Sequence, residues 1–137
     1  ELSKDARQTN LKLAERVGLS PSACLRRVQE LERTGVITGY RVVVDRSLLG
    51  AGFVAYVTVG LSNHTKESLR AFEKAISACP DVVEFHTVTG SIEYLLRVEL
   101  ADMKAYKTFH NDVLGTLPHV SSITSYIVMD TPKNDRA

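Results

Sequence analysis

Cysteine is nearly absent from this chain. Cys24 and Cys79 are the two among 137 residues, and they form no C-x-x-C pair. That excludes a disulfide framework and a cysteine-held metal, and two lone thiols suit a reducing compartment. Long apolar runs are missing as well. Runs such as residues 42–44 and 53–57 fall far short of the ~20 residues that span a bilayer. No signal-peptide pattern opens the chain. Its first residue is Glu1 rather than Met, which leads us to expect further residues upstream. Charge of one sign is scarce: the net charge is +1, so a uniformly basic nucleic-acid coat is excluded. Hydrophobic residues at 44% and charged residues at 24% are ordinary globular values, which excludes general disorder. The length allows one domain or two small ones.

The charge divides unevenly. Residues 1–49 hold nine Lys/Arg against six Asp/Glu, and residues 50–137 hold eight against ten. A basic front half and an acidic back half point to two tasks in one chain.

In the front half, Thr9 or Asn10 can cap a helix closed by Gly18, with Leu11, Ala14 and Val17 at helical spacing. Ser20 is a good cap for a second helix, and Pro21 suits its first position because the absent N–H is not needed there. Cys24, Val28 and Leu31, with Leu25 beside them, form a stripe expected to face a core. Ser22, Ala23, Arg26, Arg27, Glu30 and Arg33 fall on the other face, and Thr34-Gly35 ends the helix. Residues 36–44 read as a two-stranded wing or a strand leading out, and residues 46–52 as a turn-rich linker.

The back half reads strand, helix, strand, strand, helix, strand. Strands are expected over 53–61, 82–88, 94–100 and 120–129. A helix starting at Thr65 carries Leu69, Phe72 and Ile76 and stops at Pro80. A second, capped by Asp102, places Met103, Tyr106, His110, Val113 and Leu117 inside. The order β-α-β-β-α-β is the ferredoxin-like split arrangement, so the expected class is α+β. Its sheet has helices on one face, and the other face calls for a cover such as a second subunit. Residues 131–137 read as a polar tail.

The run from Leu13-Ala14-Glu15 through Gly18-Leu19-Ser20-Pro21-Ser22-Ala23-Cys24-Leu25-Arg26-Arg27 to Gly39-Tyr40 closely resembles the helix-turn-helix and wing of the leucine-responsive regulatory protein/AsnC (Lrp/AsnC) family of transcription regulators. Residues 89–96, Thr-Gly-Ser-Ile-Glu-Tyr-Leu-Leu, and residues 124–129 resemble its effector-binding domain. The likeness covers nearly the whole chain. It implies a winged helix-turn-helix over 1–45 with its first helix truncated, a ferredoxin-like effector and assembly domain over 53–130, and a homodimer building tetramers or octamers. It also implies a cytoplasmic, nucleoid-associated protein. The family's turn usually reads Gly-Asp-x-Asp. Here Gly90-Ser91-Ile92-Glu93 loses one acid and lengthens the other by a methylene.

Arg26 and Arg27 on a surface helix could be solvated charges and nothing more. Their place on the outer face of the second helix of a helix-turn-helix favours double-stranded DNA. The N-terminal residues of such a helix meet base edges in the major groove, and Arg bonds two guanine acceptors. Ser20, Ser22 and Ala23 lie in the first turn, where hydroxyls and N–H groups hold phosphate. Gly90 could be an ordinary turn residue. Alternatively, Thr89, Gly90 and Ser91 offer donors for the carboxylate of an amino-acid effector and Glu93 offers the acid for its ammonium. Ile92 and Tyr94 would then line the side-chain pocket, with Thr124 and Ser125 approaching from a neighbouring subunit. The histidines show no metal spacing, no catalytic constellation can be assembled, and no cofactor is expected. The alternative is a metabolite-sensing or enzymatic ferredoxin-like module with an accessory helical domain.

Overall fold

The computed structural model describes residues 1–133, and the last four residues of the expected tail lie outside the described residues. The chain divides into two compact units, Glu1–Val43 and Val44–Ala137.

In the first unit, α1 (Asn10–Val17) is capped by Thr9, whose hydroxyl accepts from the Lys12 N–H. It ends at Gly18, whose φ of 67° suits glycine. Two residues later Ser20 caps α2 (Pro21–Arg33), accepting from the Ala23 N–H, with Pro21 in the first turn. The Asn10 amide donates to the Pro21 carbonyl at 2.8 Å and fixes the start of one helix against the other.

The small core here is Leu13, Ala14 and Cys24, with Leu2 and Val28 packed on it. The expected stripes are covered only in part. Leu11 and Val17 on α1 and Leu25 and Leu31 on α2 are exposed. Two helices alone cannot bury two apolar stripes, and an apolar groove of ≈ 380 Å³ lined by Leu13, Val17, Val28, Leu31 and Ile37 stays open. The expected wing strands over 36–44 do not pair. Those residues carry no ladder, and the segment is held by the Tyr40 hydroxyl donating to Glu32 at 2.8 Å.

The second unit begins earlier than expected. Instead of a free linker, Arg46–Leu49 forms a 3-10 turn capped by Asp45. Arg46 reaches the buried Glu99 carboxylate at 2.5 Å, and Arg97 holds its other oxygen at 2.5 Å. Two cations around one nearly buried carboxylate compensate its desolvation.

A four-stranded antiparallel sheet follows, built from β1 (Phe53–Leu61), β2 (Val82–Thr87), β3 (Tyr94–Leu100) and β4 (Val120–Ile127) in the order β2-β3-β1-β4. The helix α3 (Lys66–Ser77), capped by Thr65, connects β1 to β2, and α4 (Met103–Thr108), capped by Asp102, follows β3. Alternate residues of β1 (Ala55, Val57, Val59, Leu61) and β3 (Tyr94, Leu96, Val98, Leu100) pack under Phe72, Ile76, Tyr106, Phe109 and Leu114. This is the period-2 pattern of a sheet with one covered face.

Beyond Thr108 the α-helix passes into a π turn, Phe109–Val113, and a 3-10 turn, Leu114–Thr116. The wider turn shifts the helical phase, so Phe109 and Leu114 are buried and the expected His110 is only half-buried, while the expected Val113 and Leu117 pack against the core partly buried. Met103, ahead of the turn at the start of α4, is exposed rather than inside.

Candidate nucleic-acid interface and effector site

The tight turn between α1 and α2 presents the first turns of α2 at the surface. Ser20, Ser22, Arg26 and Arg27 are exposed and Ala23 is half-buried. Ser20 Oγ caps the helix and lies 3.4 Å from Ser22 Oγ. The arginines of this unit differ in their partners. Arg33 is locked to Glu30 by two hydrogen bonds of 2.8 and 2.7 Å, and that bond holds the Glu30 carboxyl below its ordinary range. Arg16 lies 3.6 Å from Glu1. Arg26 and Arg27 enter no ion pair among the described residues. Two unpaired guanidiniums one and a half turns into a capped, exposed helix are free to meet an anion, with nothing to release first.

The second site gathers around Gly60. Register places Tyr94 opposite Val59, so Glu93 stands opposite Gly60, on the face of the sheet away from the helices. There Glu93 Oε2 accepts from the Leu61 N–H at 2.6 Å, and Oε1 lies 2.8 Å from His64 Nε2. The Leu61 hydrogen bond, then the hydrogen bond and charge of His64, hold the Glu93 carboxyl below its ordinary range against the opposing effect of burial. A glycine is needed beneath this group. A Cβ on Gly60 would run into Ser122 Oγ and come within 3.6 Å of Glu93 Oε2 and Ser121 Oγ. Next to Glu93, Thr89, Gly90 and Ser91 are exposed on the β2–β3 turn and Ile92 is half-buried. Gly90 has a φ of 135°, which side-chain-bearing residues rarely adopt.

Two expected ligand residues face the other way. Tyr94 is fully buried under the helices, stacked on Phe72 with ring centroids 4.6 Å apart, and its hydroxyl donates to Glu73 at 2.9 Å. Ser125 pairs with Val57 on that same covered face and hydrogen-bonds the Tyr106 hydroxyl. Adjacent strand residues point to opposite faces, so Thr124 and Ser125 cannot share a pocket within one subunit. Thr124, across from Thr58, remains on the open face with Glu93. The residues that join Glu93 instead are Gly60, His64, Ser121 and Ser122. A lone glycine near the end of the apolar run 53–61 was the signal for them in the sequence. Ser121 and Ser122 also line a shallow pocket of ≈ 280 Å³ between the π turn and β4.

A capped helix-turn-helix with unpaired arginines, joined to a ferredoxin-like unit with a polar site at a strand end, defines a DNA-binding regulator with a separate ligand-binding domain. Comparison with known families agrees with that class. A winged helix-turn-helix DNA-binding family matches residues 1–38, and the Lrp/AsnC ligand binding domain matches residues 54–137. The chain belongs to the Lrp/AsnC family of transcriptional regulators.

It is 37% identical over 133 residues to the leucine-responsive regulatory protein of Escherichia coli K12, spanning 97% of this chain and 81% of that one. Among solved structures, it resembles a transcriptional regulator of Neisseria meningitidis in complex with L-methionine. The TM-score there is 0.92 at 32% identity, covering 97% of this chain and 86% of the other. It also resembles the feast or famine regulatory protein of M. tuberculosis complexed with L-methionine, with a TM-score of 0.83 at 28% identity, covering 99% and 90%.

Proposed function

We propose that this regulator binds a free amino acid at the Glu93 site and that the ligand sets its assembly or its hold on DNA. The observation that carries the reading is the Glu93 carboxylate, kept ionised beside an exposed glycine turn. A zwitterion needs an anion for its ammonium and hydrogen-bond donors for its carboxylate. Glu93 supplies the first, and Thr89, the Gly90 backbone and Ser91 supply the second. The side chain of the ligand then lies toward Ile92, and Thr124 of a neighbouring subunit closes the site.

DNA is held by α2. Arg26 and Arg27 reach bases or phosphates, and Ser20, Ser22 and the Ala23 backbone settle the first turn on the phosphate chain. The open sheet face, with Tyr56, Thr58, Thr124 and Tyr126, is the assembly surface of a homodimer that builds tetramers or octamers. A ligand that adds contacts in one arrangement of subunits shifts the population toward it. The protein works in the cytoplasm on the nucleoid, with no catalytic role.

Calorimetric titration with the twenty amino acids tests the effector. At least one binds, and Gly90→Val and Glu93→Ala each abolish that binding while circular dichroism stays unchanged. A binder that both variants retain at full affinity moves the site elsewhere, and no binder among the twenty removes the amino-acid reading.

A further inference from the structure

The Glu93 carboxylate has two partners, and they differ in kind. Leu61 donates from the backbone at the end of β1, where nothing can move without breaking the strand. His64 donates from a side chain that is 63% exposed, on the short turn between β1 and α3. An exposed imidazole loses little packing when it swings away. It can also carry a positive charge in the pH range where cells live. Both are properties of a competitor rather than of a structural clamp.

We propose that His64 makes ligand binding at the amino-acid site depend on pH. Its imidazole competes with the ligand's ammonium for Oε1 of Glu93, so the site binds amino acids more weakly when His64 is protonated. This rests on the effector reading of Glu93 given above. A carboxylate accepts several hydrogen bonds, so neutral His64 and an ammonium can share it. An imidazolium and an ammonium on one carboxylate oxygen repel each other at contact distance, and one of them must leave.

Other charges near the pair are accounted for. Lys66 and Glu67 in the first turn of α3 are exposed and form no ion pair with His64 or Glu93. His119, ahead of β4, meets the same turn through its backbone, its carbonyl accepting from the Ser62 N–H at 2.7 Å. Tyr94, next along β3, points to the opposite face. The side-chain partner of Glu93 is His64.

The test uses the intact chain and the amino acid that binds best among the twenty, titrated calorimetrically at pH 5.5 and 7.5. Full competition makes the wild-type Kd about tenfold weaker at pH 5.5, since an imidazole passes from mostly protonated to mostly neutral over that interval. His64→Gln keeps a donor but cannot become charged, so its Kd is the same at both values within about twofold. His64→Lys is charged at both and binds weakly at both. A wild-type Kd independent of pH, or a slope that survives in His64→Gln, overturns the proposal while leaving the effector site standing.

A second arm needs no ligand. The His64 ring is observed by NMR at pH 7.5 in wild type and in Glu93→Ala, and its Nε2 resonance moves in the variant because the hydrogen bond to the carboxylate is gone. An unchanged resonance means the pair does not persist in solution and overturns the proposal. If no amino acid binds at either pH, the effector reading fails, and the NMR arm shows separately whether the pair exists.

Discussion

Tyr56 on β1 lies directly across from Tyr126 on β4, on the sheet face that carries no helix. They are 40% and 59% exposed. Thr58 and Thr124 form the next pair along on the same face. A ladder of paired aromatic and β-branched residues is the usual composition of a buried sheet surface, and here the described residues leave it partly exposed. Tyrosine is also among the residues that dominate protein interfaces. Tyr56→Asp and Tyr126→Asp each place a charge in the middle of that surface and leave the helix-side core untouched. Each variant should weaken self-association by tenfold or more, about 1.4 kcal/mol, while thermal unfolding of the subunit changes little. Light scattering across a dilution series checks this. A wild-type protein that is monomeric at micromolar concentration would rule out the assembly.

Arg26 and Arg27 should weaken operator binding when replaced by alanine, by about 1–3 kcal/mol where the contact is to a base. A contact to phosphate behaves differently. Its loss costs the same on every sequence, and the dependence of affinity on salt flattens by about one unit of slope. Arg33 provides the internal control, because Glu30 already holds it and Arg33→Ala should change little. Binding isotherms at several salt concentrations separate these cases. Equal affinity and equal slope in Arg26→Ala and Arg27→Ala would place the DNA surface elsewhere.

Tyr94 supports a prediction about alkaline stability. Burial, followed by the hydrogen bond and charge of Glu73, pushes its hydroxyl up to about 12. The ordinary value is near 10, so the folded state favours the neutral phenol. Its contribution is therefore complete below about pH 10 and is lost as the pH rises from there toward 12. Tyr94→Phe should cost about 1 kcal/mol at pH 7, where the hydrogen bond to Glu73 disappears. Between pH 10 and 12 the gap should narrow, since only the wild type has this proton to lose. Urea unfolding at pH 7 and at pH 10.5 measures both.

The elements were largely legible in the sequence because their ends are chemically marked. Ser20-Pro21, Thr65 and Asp102 are caps whose side chains accept from the first-turn N–H groups as their residue types suggest. The alternation over residues 94–100 gave the strand its faces. What escaped was set by geometry that no single residue carries. The π turn at Phe109–Val113 arises from how the helix lies on the sheet, and it moved the buried positions to Phe109 and Leu114. Ser125 and Tyr94 were read by their place in motifs. The strand period had already sent them to the face opposite Glu93. His64 lies 29 positions from Glu93, and Gly60 is far in sequence from both Glu93 and Ser122, so only strand pairing brings them together.

Gly60 is the sharpest test of the site. The residue is buried, yet it lies on the open face of the sheet, because Glu93 and Ser122 close over it. Pairing with β4 also shifts register between Gly60 and Leu61, which brings Ser121 and Ser122 to the same spot. Alanine at this position has no conformational difficulty with an ordinary strand backbone. Its methyl must displace the Ser122 hydroxyl and crowd the carboxylate that Leu61 and His64 hold. Crowding of this kind typically costs about 1–3 kcal/mol, so Gly60→Ala should fold with a lowered midpoint of denaturation. The effect on ligand should be larger. Moving Glu93 by a fraction of an ångström lengthens its bond to Leu61 and misplaces the acid that receives the ammonium, so the amino-acid Kd should rise at least about tenfold. A paired variant, Gly60→Ala with Ser122→Gly, removes the obstacle and should recover most of both losses. DNA binding by the first unit without ligand should be unchanged throughout. If Gly60→Ala binds the amino acid as tightly as wild type, Glu93 is not the group that holds the ligand's ammonium.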